Sequence, residues 1–152
     1  MKKLLLPLLL CLITGATRAQ ETNAYKLVLN HAALSVKDVD RSALFYKNIL
    51  GLDEITNKTK MEGIRWFSLG DGKELHLISI IKKEVIINKA VHLALSCTNF
   101  DAFIRSLEKN NIVYSDWPGT KGKVNVRADG IKQVFFQDPD GYWIEVNSVA
   151  AP

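Results

Sequence analysis

The chain has 152 residues, 47% hydrophobic and 24% charged, enough for one domain with its own core or for two small modules sharing one, and too apolar for a disordered tail. Three units of its formal charge of +4 sit at the start. Without Lys2, Lys3 and Arg18 the rest carries 17 basic against 16 acidic residues, which leaves no basic stripe for nucleic acid or an anionic membrane surface.

Met1–Ala19 reads as a secretory signal peptide: a short basic start, an apolar run from Leu4 to Ile13 that is too short to span a bilayer, and small residues at Thr17 and Ala19. The expectation is a mature domain of residues 20–152, secreted across the inner membrane into the periplasm. Cys11 falls in the leader, so Cys97 stays alone and no intramolecular disulfide is available. Closing the apolar run "HLALSC", Cys97 reads as a small buried hydrophobe.

"YKLVLNHAALSV" predicts a strand and "DVDRSALFYKNILG" a helix, with Asp38 as N-cap and Gly51 as stop. Strands follow near Asp53–Asn57, Ile64–Leu69 and Lys73–Ile81, then a linker at Lys82–Lys89. The order restarts with "AVHLALSC". A second helix begins near Asn99, its buried stripe being Phe100, Phe103, Ile104 and Leu107. Strands near Ile112–Ser115, Lys132–Gln137 and Tyr142–Ser148 complete it, interrupted by Asp116–Ile131, a surface loop or a lid in which "VNVR" can form a short strand. The fold class is therefore α+β: one domain of paired βαβββ modules, at about 26–81 and 90–148, with a mostly antiparallel sheet and helices outside.

The two modules are copies. A shift of 61 puts His31, Ala33, Leu34 and Ser35 on His92, Ala94, Leu95 and Ser96; a shift of 69 puts Asp71-Gly72 on Asp140-Gly141 and His76 on Glu145. All three histidines of the chain thus fall at corresponding positions, with a glutamate at the fourth. Strand alternation sends Leu75, Leu77, Ile144 and Val146 toward the helices and His76 and Glu145 to the opposite face. If the copies pack about a pseudo-twofold axis, the four side chains share one cavity. A carboxylate inside the apolar run "YWIEV" is costly unless a cation or donor compensates it, so the set reads as a metal site. In "QDPDGYW", Asp138 and Asp140 read as turn residues with no catalytic role, and Asn57-Lys58-Thr59 as a sequon-like triplet.

The stretches "NHAALSVKDVDRSALFYKNILGL", "ELHLI", "VHLALS" and "FFQDPDGYWIEV" resemble the vicinal oxygen chelate superfamily, which includes glyoxalase I, fosfomycin-modifying thiol transferases, extradiol dioxygenases and bleomycin-binding proteins. The resemblance implies an open, cup-shaped sheet around a divalent metal, with His31, His76, His92 and Glu145 as ligands. Bacterial glyoxalase I usually has glutamate where this chain has His76.

Three imidazoles and one carboxylate suit Zn, Ni, Fe or Co and, in an octahedral site, leave two positions for adjacent substrate oxygens. The leading expectation is a glyoxalase-like lyase or isomerase acting on a small chelating substrate, with Glu145 as base. The alternatives are an Fe(II) ring-cleaving dioxygenase and a bleomycin-type binding protein without turnover. Trp66, Trp117, Phe135 and Tyr142 are candidates to line the cup. Among Arg65, Lys121, Lys123 and Arg127, the arginines Arg65 and Arg127 are preferred for holding an anionic substrate, because guanidinium pairs bidentately. A homodimer through apolar sheet edges is a further expectation.

Overall fold

The computed structural model describes residues 27–81 and 83–149; the expected leader and the beginning of the expected first strand lie outside them. Two copies of one unit follow each other: β1 (His31–Ser35), α1 (Val39–Asn48), β2 (Glu54–Ile55), β3 (Ile64–Gly70) and β4 (Lys73–Ile78), then β5 (His92–Ser96), α2 (Phe100–Lys109), β6 (Asn125–Val126), β7 (Lys132–Gln137) and β8 (Trp143–Asn147). They form two four-stranded sheets, ordered β1-β4-β3-β2 and β5-β8-β7-β6. In each, the first strand pairs in parallel with the last and the other pairings are antiparallel. The result is the expected α+β arrangement, open rather than closed.

Local chemistry accounts for the elements. The Asp38 carboxylate accepts from the N–H groups of Asp40 and Arg41, starting α1, and Gly51, at φ +65°, lies in the left-handed region just beyond its end. Asn99 caps α2 by accepting from Ala102 N–H. Asp71 and Gly72 both have positive φ, as a two-residue turn joining β3 to β4 requires.

One core serves both modules. Phe67, Leu75 and Leu77 of the first sheet and Val134, Phe136, Ile144 and Val146 of the second are buried with Tyr46, Phe100 and Leu107 from the helices. Each fully buried side chain of this size contributes about 1.5–3 kcal/mol.

A polar clasp also crosses between the modules at "QDPDGYW". Buried Asp138 accepts from the Tyr46 hydroxyl at 2.8 Å, while Asp140 accepts from Ser42 Oγ and Lys37 N–H. Tyr142 Oη donates to Ser35 O at 3.0 Å and accepts from Ser35 N–H at 3.1 Å. Asp138 and Asp140 are thus more than turn residues, since they join α1 to the β7–β8 hairpin.

The expected strand at Ile112–Ser115 is corrected. Only Ser115 pairs, in isolated bridges to Phe135 and Lys121, because the Asp116 carboxylate then accepts from Gly119 and Thr120 N–H and turns the chain away. The fourth strand of the second sheet is β6, inside "VNVR". Asn57 uses its amide to hold its own loop, donating to Met61 O and Ile64 O.

Candidate metal and substrate site

In the first module Ala33 lies opposite His76 across the parallel β1–β4 pair, and Trp66 opposite His76 across β3–β4. Because Ala32, Leu34, Leu75 and Leu77 pack into the core, His31, Trp66 and His76 share the other face. Their rings form one stack: His31 on His76 at 4.4 Å, and Trp66 on His76 at 4.1 Å and 7°. His31 Nδ1 is 2.8 Å from Asn30 Oδ1, and His76 Nε2 is 2.8 Å from Glu74 Oε2.

The second module repeats this layout. Ala94 and Phe135 both lie opposite Glu145. His92 Nε2 stands 3.4 Å from Glu145 Oε2, and Glu145 Oε1 accepts from Asn147 Nδ2 at 2.9 Å. Phe135 and Trp117 meet the His92 ring edge-on, at 5.6 and 6.3 Å.

One contact determines the chemistry of this pair. His92 Nδ1 lies 2.9 Å from Lys89 O, and a carbonyl only accepts, so Nδ1 carries the proton. Nε2 then turns toward a carboxylate that is only 8% exposed. Two electron-rich edges facing each other, one of them a carboxylate largely shielded from water, are balanced by a cation between them.

The chain brings His31 to His76 and His92 to Glu145, but it does not bring the two pairs together. Among the described residues no group of three or more His, Cys, Asp or Glu side chains can hold one ion. Topology is the reason. The strands bearing His31 and His92, β1 and β5, are edge strands of separate sheets.

Of the expected substrate residues, Trp66, Trp117 and Phe135 sit against the candidate ligands. Arg65 does not. It forks onto Glu54 at 2.7 and 2.6 Å and reaches Asp40 of α1 at 2.8 Å, on the strand face opposite Trp66. That fork holds the Glu54 carboxyl below its ordinary range. Arg127 pairs with Asp129 at 2.6 Å in an exposed turn, and Lys123 lies 3.6 Å from Asp116.

Three residues of these faces escaped the sequence reading. Glu74 and Trp143 stand two positions before His76 and Glu145, so strand alternation alone would have found them. Lys89 gave no such signal. It leaves the linker to place its ammonium 4.6 Å from the ring centre of Phe135 and 4.9 Å from that of Trp143. Burial there pulls its pKa below the usual lysine value.

The chain and its fold have relatives. Residues 28–146 match the family model of the Glyoxalase/Bleomycin resistance protein/Dioxygenase superfamily, and the chain belongs to that family. It is 29% identical over 124 residues to "Glyoxylase I 4" of Arabidopsis thaliana, covering 78% of this chain and 68% of the relative. It is also 30% identical over 128 residues to "Metallothiol transferase FosB" of Shouchella clausii, covering 79% of each. Among solved structures, "Oxidase ChaP-H2" superposes with a TM-score of 0.69 at 22% identity, over 83% of this chain and 96% of that one.

Proposed function

We propose that the protein is a divalent-metal-dependent enzyme of the glyoxalase type, a lyase or isomerase acting on a small substrate that chelates through adjacent oxygens. We further propose that its metal site is completed by a second copy of the chain. His31 and His76 of one copy and His92 and Glu145 of the other would hold Zn, Ni, Fe or Co. The observation that carries this is the split of the four donors into two pairs, each on one edge strand and its parallel neighbour. Joining β1 of one copy to β5 of another sets the pairs side by side, and a twofold assembly does so twice. Apolar Leu27, Val28, Leu29 and Val91 are exposed beside these edges.

The donor set fits such an ion. A buried carboxylate faces an imidazole nitrogen with no proton of its own, which is the local demand a cation satisfies. The ion would supply Lewis-acid polarisation of the substrate oxygens. The protein would supply the rest: Glu145, held at Oε1 by Asn147, would take a proton from carbon next to a carbonyl through Oε2, while Trp117 and Phe135 beside His92, and Trp66 beside His76 of the other copy, would exclude water. The apolar, basic start of the chain adds secretion into the periplasm to the proposal, which a mature N-terminus at Gln20 in that fraction would support and an uncleaved cytoplasmic chain would refute.

The test is complementation. One variant carries His31→Ala and His76→Ala, the other His92→Ala and Glu145→Gln, and each alone binds no metal. After mixing and exchange, about a quarter of the wild-type metal content returns if sites are built between copies. No recovery, with metal bound by wild-type monomers, refutes the shared site. A folded wild-type protein that takes up no cation refutes the enzyme reading.

The Glu74–His76 contact favours a second reading. With His76 retained by Glu74, two histidines and one carboxylate remain, the donor set of an Fe(II) ring-cleaving dioxygenase. Undiminished iron binding by His76→Ala would support it.

A further inference from the structure

The Lys89 side chain spends its hydrogen bonds on three consecutive residues: Ser115 Oγ at 3.2 Å, Asp116 O at 2.5 Å and Trp117 O at 3.0 Å. Its own backbone carbonyl meanwhile holds His92 Nδ1. One residue therefore fixes both the tautomer of His92 and the segment above it. That segment is a self-contained piece. Asp116 N–H donates to Thr120 O, and the Asp116 carboxylate accepts from Gly119 and Thr120, so 116–120 is closed on itself by its own hydrogen bonds. Its base is tied down by the Ser115–Phe135 bridge and by Gly122 N–H donating to Tyr114 O. Its tip is Trp117, 48% exposed, with its indole against Phe135 and His92. A cavity of about 410 Å³ runs beside it between Ser115, Gly119 and Lys121 on one side and Phe135 and Trp143 on the other.

A rigid tip, an anchored base and one long side chain reaching across the site are the parts of a hinged cover. We propose that residues 116–120 are a lid over His92 and Glu145, that Trp117 is its covering residue, and that Lys89 is the positioning residue that holds it shut. The proposal rests on His92 and Glu145 being the functional pair of the preceding section, but its test uses no metal and no substrate.

The experiment is residue-resolved carbethoxylation of the histidines by diethyl pyrocarbonate, read by peptide mass spectrometry, on the metal-free full chain. His92, its side chain 24% exposed with the cover shut, reacts faster once the cover opens, and His76, 13% exposed, reports general loosening. Lys89→Met, which keeps the length and removes the donors, should speed modification of His92 about tenfold and leave His76 within about twofold. Trp117→Ala should match it, and Lys89→Arg, which keeps donors, should stay near wild type. Should Lys89→Met fail to fold, Trp117→Ala carries the test. An unchanged rate at His92, or an equal rise at His76 and His92, overturns the lid.

Discussion

The Tyr46 hydroxyl donates to Asp138 Oδ2 across 92 positions of the chain at 2.8 Å, joining the helix of the first module to the hairpin of the second. Burial pushes both groups up, the phenol beyond any ordinary titration, while the hydrogen bonds from Tyr46, Tyr142 and Asp140 partly offset the rise at Asp138. A carboxyl with a raised folded pKa binds its proton more tightly in the native state. Stability from this group is therefore greatest below the unfolded value and declines as pH rises through the window between the two values. Tyr46→Phe removes a bond that favours the charged form. It should cost about 1–3 kcal/mol near neutral pH, shrinking toward pH 4, as measured by urea unfolding at several pH values.

Arg65→Ala should lower stability by about 0.5–1 kcal/mol and leave ligand affinity unchanged, since the fork to Glu54 and Asp40 is partly exposed and lies away from His76. The folded pKa of Glu54 is depressed, so this contribution is present above the unfolded carboxylate value and disappears as pH falls through the folded one. Unfolding midpoints at pH 7 and pH 3 check the stability; a weaker affinity in the variant would restore Arg65 as a substrate residue.

Glu74→Gln should weaken metal binding about tenfold if His76 is a ligand, because the carboxylate that orients the ring is lost. Titration calorimetry with Zn(II) and Ni(II) reads this directly, and unchanged affinity would transfer weight to the two-histidine reading.

Glu145→Gln should make the metal-free protein more stable by about 1 kcal/mol, because it removes a buried charge facing an imidazole nitrogen. The same change should abolish the upward shift in Tm that the metal gives the wild type. Calorimetric scans with and without the ion test both halves, and a less stable apo variant would show that the carboxylate is a structural partner of Asn147.

Much of this was legible because the chain repeats itself. The 61- and 69-residue shifts paired His31 with His92 and His76 with Glu145, and the period of two along β4 and β8 put these side chains opposite Leu75, Leu77, Ile144 and Val146. What alternation could not supply was the relation between the modules. A strand pattern states which way a side chain points, whereas the modules are joined by contacts between distant segments, the shared core and the Tyr46–Asp138 clasp among them. The lapse at Ile112–Ser115 has a similar origin. An apolar run there competes with the Asp116 turn, and the turn is settled by backbone N–H groups that carry no sequence signature. Lys89 was hidden because linker residues have no periodicity to interpret.

The parallel closure of each module also has a kinetic consequence. β3 and β4 are neighbours in the chain and join through a tight turn, whereas β1 reaches β4 only after α1 and β2 have intervened; β5 and β8 stand in the same relation. Pairings between distant segments are slow because the intervening loop must first be closed. Each hairpin should therefore form early, carrying His76 or Glu145, and the strand bearing its partner histidine should dock late. On that order the candidate donors stay apart until the last long-range contacts are made, so a nascent chain offers a passing cation single side chains rather than a site.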